Sequence, residues 1–155
     1  MKLFQRLILF TILPCCITDK GKADQPPSWA VLTTGNDFQM QSKAPVEIRG
    51  TYLLLQVAMN DREWKDVSKA NIHFMTLDAN STTENLGGAQ RTIQKVATKM
   101  NGKGNLLVIM LLSDNTTLMI ELWDPAKKLA LVTGDERDAT GAVNTIKMRC
   151  CIRQD

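Results

Sequence analysis

The sequence predicts an all-β fold, an antiparallel meander of short strands forming a barrel or a sandwich. Three observations point there. Beyond Gly50 the chain breaks into apolar runs of six to nine residues divided by clusters of Asn, Asp, Gly, Pro and Ser. Runs of this length with mostly short links suit an antiparallel meander better than a helical bundle. No apolar run reaches the ~20 residues of a membrane-spanning helix, and the 155 residues suffice for one domain with one core.

The elements follow in chain order. Lys2 and Arg6 precede an apolar stretch from Leu7 to Ile17, and Gly21-Lys22-Ala23 places small residues around a cleavage point. This is the pattern of a secretory signal over 1–23. Its removal takes four basic residues and one acidic residue from totals of 19 and 16, leaving 15 of each. A neutral chain offers no basic surface for a nucleic-acid backbone, and the whole sequence has only eight aromatic residues for base stacking. Residues 24–47, broken by Pro26, Pro27 and Pro45, read as a leader arm with one short strand around Trp29–Leu32.

A single domain spans 48–148. Its apolar runs are Thr51–Met59, Asn71–Asp78, Leu106–Leu112, Leu118–Trp123 and Lys128–Thr133. A helical turn is expected near 61–69, where Trp64 and Val67 share a face. Gln90–Met100 supports two patterns. Ile93, Val96, Ala97 and Met100 have helical spacing, whereas Thr92, Gln94, Val96, Thr98 and Met100 alternate as a strand does. A helix over 90–100 would make the fold α+β, and that alternative stays open at this point. Leu106–Leu112 is apolar on both faces, so its outer face needs a cover. Residues 149–155 read as a solvated basic tail.

Cys150 and Cys151 are the cysteines left after cleavage, and neighbours in sequence rarely pair with each other. Lys147, Arg149 and Arg153 around them favour reactive thiolates and a disulfide-linked homodimer. Sequons at Asn80 and Asn115 suit an exported glycoprotein. Catalysis has little material: His73 is the one histidine, no nucleophile-elbow motif accompanies it, and no acidic or cysteine cluster has metal-ligand spacing. The expectation is a protein that is not an enzyme and carries no cofactor or metal.

From Glu47-Ile48-Arg49-Gly50-Thr51-Tyr52 onward the chain resembles the lipocalin family, whose first barrel strand opens on Gly-x-Trp. Val57-Ala58-Met59-Asn60-Asp61-Arg62-Glu63 is similar to the tear and odorant-binding branch, and the likeness continues at Phe74-Met75-Thr76-Leu77 and Gly87-Gly88. Leu112-Ser113-Asp114-Asn115 stands where the family's Thr-Asp-Tyr would be. The motif residues are thus Gly50, Thr51, Tyr52 and Asp114. Tyr52 replaces the tryptophan, and Thr92 stands at the position of the family's mid-chain cysteine.

The resemblance implies a lipocalin-like barrel and a secreted, extracellular carrier for a small hydrophobic molecule. Alternation within the strands then puts Ile72 and Phe74, Val108 and Met110, and Ile120 and Leu122 on the ligand, with Gln56 as its polar contact. Apolar burial at ~25 cal/mol per Å² would supply the affinity. A competing reading is a secreted protein–protein interaction or signalling domain without a small-molecule pocket.

Overall fold

A computed structural model describes residues 29–154 apart from 36, 86, 87 and 138. The expected signal over 1–23 lies outside the described residues. Eight antiparallel strands form a closed up-and-down barrel: β2 (Gly50–Met59), β4 (His73–Leu77), β5 (Ser81–Glu84), β6 (Gln90–Met100), β7 (Leu106–Leu112), β8 (Thr117–Asp124), β9 (Leu129–Arg137) and β10 (Val143–Arg153). Each pairs with the next, and β10 returns to β2, so the barrel has no free edge. Two small strands lie outside this ring: β1 (Gln39–Gln41) on β6, and β3 (Lys65–Asp66) on β2.

The helical alternative for 90–100 is overturned. Its residues form strand β6 because long antiparallel ladders to β5 and β7 satisfy its backbone. Of the side chains that share helical spacing, Ile93 and Val96 enter the core, Ala97 is buried on the opposite face and Met100 is 62% exposed. The turn expected near 61–69 takes a tighter form, a 3₁₀ turn at Ser68–Ala70 that follows β3. Asp66 starts it by accepting hydrogen bonds from the Ser68 N–H (2.9 Å) and hydroxyl (2.6 Å).

Two further expectations need correction. Trp29–Leu32 is a single helical turn and not a strand. The Thr33 and Thr34 hydroxyls donate to the Trp29 and Ala30 carbonyls, which holds the turn closed. It packs on β7, and the outward-facing Ile109 of that strand is 2% exposed. The cover that Leu106–Leu112 required is therefore the chain's own arm. Residues 149–153, expected in a solvated tail, are the end of β10. Ile146, Met148, Cys150 and Ile152 point into the core while Lys147, Arg149, Cys151 and Arg153 point out. The charges that suggested a tail are the outer half of a period-two strand.

The same alternation fixes the cysteines. Cys150 is fully buried between Leu54 of β2 and Ala130 of β9, and Cys151 is half-buried on the outer face. Burial pushes the Cys150 thiol far up, reinforced by its neighbour Cys151. The basic residues expected to activate both thiols lie on the opposite side of the sheet from Cys150. Replacing Cys150 by serine should cost about 1–3 kcal/mol, because the hydroxyl loses solvation and needs a partner there. Cys151→Ser should stay within about 0.5 kcal/mol. Urea unfolding of the two single variants checks this, and equal losses would mean that the strand's facing is wrong.

Burial also raises the Tyr52 phenol well above its ordinary 10.0, with the adjacent Cys150 adding to the effect. Both groups favour the protonated form when folded. Their contribution to stability is complete below the ordinary thiol value of 9.0 and is lost as pH rises from there toward the folded values. The expected result is a thermal midpoint that falls steadily above about pH 9. A Cys150→Ala variant should begin its decline about a unit later, where unfolded tyrosine starts to ionise.

Candidate functional site

The barrel interior has a fully buried floor and, toward one end, a set of incompletely buried apolar side chains that outline a shallow cup. Val108, Met110, Ile120, Ala130 and Val132 have no exposed surface, and Leu122 has 2%. No space beside the fully buried five admits even a water molecule. Leu106 is partly buried at the β6–β7 end, and a larger group of incompletely buried residues lies toward the end that carries the β7–β8 hairpin and the loop after β2. Phe74, Ile93, Ile146 and Met148 are 7–9% exposed, and Val57, Ile72 and Leu118 are half-buried against the same core. Gly134 belongs to this wall: a Cβ added there would meet the Leu118 side chain at 4.0 Å.

The expected lining residues fall into three groups. Val108, Met110, Ile120 and Leu122 are inward but form the packed floor. Ile72 and Phe74 border the cup, with Phe74 edge-on to Tyr52 at 6.1 Å between ring centroids. Gln56 lies outside the barrel, where its carbonyl oxygen accepts from Arg149 at 2.8 Å. A bulge explains the displacement. Arg149 pairs with Gln56 and Cys150 with Leu54, which leaves Leu55 as an extra residue. The inward set on β2 changes there from Tyr52 and Leu54 to Val57, and strict alternation puts Gln56 on the wrong face.

A second bulge changes which residues of β6 point inward. Ile93 pairs with Leu112 and Lys95 with Leu111, so Gln94 is the extra residue on β6. The inward set is Arg91 and Ile93 before the bulge, and even-numbered residues from Val96 after it. Arg91 faces Thr82 across β5, and Thr82 faces Leu77 across β4. Leu77 belongs to the core, so all three point inward. Arg91 ties the rim together: it pairs with Glu84 of β5, and its Nη1 reaches Asp114 and Thr116 of the β7–β8 hairpin, each at 3.3 Å.

Asp114, the residue placed by the motif resemblance, thus acts as a rim residue. Partial burial raises its pKa, but hydrogen bonds from Thr116 and the Arg91 guanidinium outweigh that and hold the carboxyl below its ordinary value. Its Oδ1 accepts from the Thr116 N–H at 3.0 Å, closing the hairpin around Asn115 in the left-handed region. The exposed Asn115 sequon lies on this same hairpin, beside the mouth. Asn80 is also exposed, but its backbone carbonyl is bonded by the Ile93 N–H and the sequon's Thr82 is wholly buried.

A separate groove of about 320 Å³ lies on the outer wall. Leu55, Gln56, Trp123, Leu129 and Arg149 line it, and the Arg149 guanidinium sits 4.3 Å above the Trp64 ring. Among the described residues no group of three or more His, Cys, Asp and Glu side chains could hold a metal ion. None of the helices formed by the described residues is long and apolar enough to cross a membrane. No family model, curated protein or solved structure matches this chain. The barrel is lipocalin-like in its closed eight-strand form.

Proposed function

We propose that this chain is a secreted, non-enzymatic carrier of the lipocalin kind, holding a small hydrophobic molecule in the cup at one end of its barrel. The carrying observation is the cluster of incompletely buried inward apolar residues at the β7–β8 end of the interior. Inward apolar surface stays accessible around Ile72, Phe74, Ile93, Leu118, Ile146 and Met148, above a floor with no room for water. Such a shape suits a short ligand half-enclosed by aliphatic side chains, with methionine adapting to its outline. The Gly-Thr-Tyr opening of β2 and the position of Asp114 at the mouth support the family reading.

Titration with an apolar fluorescent probe tests it. The purified protein should show saturable one-to-one enhancement. Gly134→Leu should abolish that enhancement while leaving the thermal midpoint within a few degrees, because Gly134 has room for a side chain and the leucine would occupy the cup. A wild-type protein without saturation, or a Gly134→Leu variant that binds equally well, would refute the reading.

The outer groove favours a second reading, a secreted interaction domain. Trp123, the unpaired residue of a bulge on β8, faces outward and is 44% exposed beside it. A disulfide-linked homodimer belongs to that reading, with Cys151 as its bridge since Cys150 is enclosed. Non-reducing gel filtration separates the two: the carrier reading expects a monomer that binds the probe, and the interaction reading expects a Cys151-dependent dimer that does not.

A further inference from the structure

We propose that Thr82 and Arg91 form a recognition site for an uncharged acceptor oxygen, such as a ketone carbonyl, on an otherwise apolar ligand. This rests on the cup reading and supplies the polar half of the ligand. Thr82 is fully buried, and among the described residues its hydroxyl has no hydrogen-bond partner. Arg91 Nε is buried and equally unpartnered, although the terminal nitrogens of the same side chain bond Glu84, Asp114 and Thr116. The two residues are directly opposed across β5 and β6 and point into the barrel.

Two adjacent unsatisfied donors are a net cost to the free protein. Valine has threonine's shape and would remove half of that cost. One acceptor oxygen placed between them would remove all of it. The local charge then selects the class of acceptor. Arg91 carries one positive charge against the two negative charges of Glu84 and Asp114. A carboxylate brought to Arg91 would meet those like charges in a poorly solvated place, whereas a carbonyl would not. Both donor atoms are enclosed in the free protein, so the ligand reaches them by pressing the Arg91 side chain toward the rim. The Arg91 side chain as a whole is 24% exposed, and its terminal nitrogens are already anchored to the rim groups.

The test displaces the bound apolar probe with three molecules of one chain length: a long-chain methyl ketone, the matching carboxylate and the matching terminal alkene. The wild-type protein should prefer the ketone over the alkene by about tenfold, the scale of one or two well-made hydrogen bonds. The carboxylate should bind no better than the alkene. Thr82→Val should bring the ketone to within about twofold of the alkene, leave alkene binding unchanged, and keep or raise the thermal midpoint. Asn80→Gln removes the same sequon but spares the hydroxyl, and should behave as wild type. A ketone preference that survives in Thr82→Val, or a carboxylate that binds tightest, overturns the proposal alone. Failure of the probe and of all three molecules to bind overturns the cup reading and this proposal with it.

Discussion

Replacing Gly50 by alanine should cost about 3–5 kcal/mol and leave the barrel largely unfolded at mild denaturant, given total stabilities of 5–15 kcal/mol. Gly50 has φ +136°, a conformation that side-chain-bearing residues rarely adopt. A Cβ there would lie 2.2 Å from the Arg153 carbonyl oxygen and 3.0 Å from the Ile152 side chain. The oxygen is backbone, so it cannot swing aside as a flexible side-chain tip would. Relief requires β2 and β10 to part at the end of their ladder, next to the Thr51–Arg153 and Tyr52–Ile152 pairs. That ladder is what closes the ring. Urea unfolding should show a lower midpoint, together with earlier hydrogen exchange at Thr51 to Leu53. A loss below about 1 kcal/mol would mean that the closure is loose at this point.

Most of the barrel is legible in the residues because antiparallel strands with one buried face write alternation into the chain. Leu106–Leu112, Leu118–Trp123 and Lys128–Thr133 each lie within or close to the strand they predict. What alternation cannot carry is a change of parity. Leu55 and Gln94 are ordinary residues in their surroundings, and nothing in their type marks them as bulges. Yet the first moves Gln56 to the outer wall and the second brings Arg91 inward. The inward position of Arg91 is not legible in the residues for that reason.

Strand β10 was hidden by composition instead. Its outer face carries Lys147, Arg149 and Arg153, which resemble solvated tail residues until Ile146, Met148, Cys150 and Ile152 are seen between them. Ser81–Glu84 offered still less, since four polar residues have no apolar run to betray a strand. Its pairing is settled by neighbours on both sides, information that no local window contains. The depth of the cup was equally out of reach. Which inward residues leave space depends on side chains brought together from several strands, so Val108 and Ile120 read as lining when they are floor.

Tyr52→Ala should produce a loss of about 3–5 kcal/mol, comparable with other large-to-small changes at buried aromatic positions. Tyr52 is fully buried at the base of the barrel, edge-on to Phe74. Its hydroxyl donates to the Ile48 carbonyl at 2.6 Å, which fastens the 3₁₀ turn Val46–Ile48 beneath β2. Ile48 and Ala44 are wholly buried beside it, and Arg49 reaches back to the Ala44 carbonyl with its Nε (2.9 Å) and Nη2 (2.6 Å). One residue therefore combines ring packing with the latch for the arm, the position where the lipocalin resemblance expects a tryptophan. Tyr52→Phe separates the two contributions: it keeps the ring and leaves the Ile48 carbonyl unpaired, at an expected cost of about 1–3 kcal/mol. If the latch holds the arm, Tyr52→Phe should also raise the rate of proteolysis before residue 49 while the barrel stays folded. A Tyr52→Phe variant with unchanged stability and an uncleaved arm would show that the hydroxyl contributes nothing and that ring packing alone explains the alanine variant.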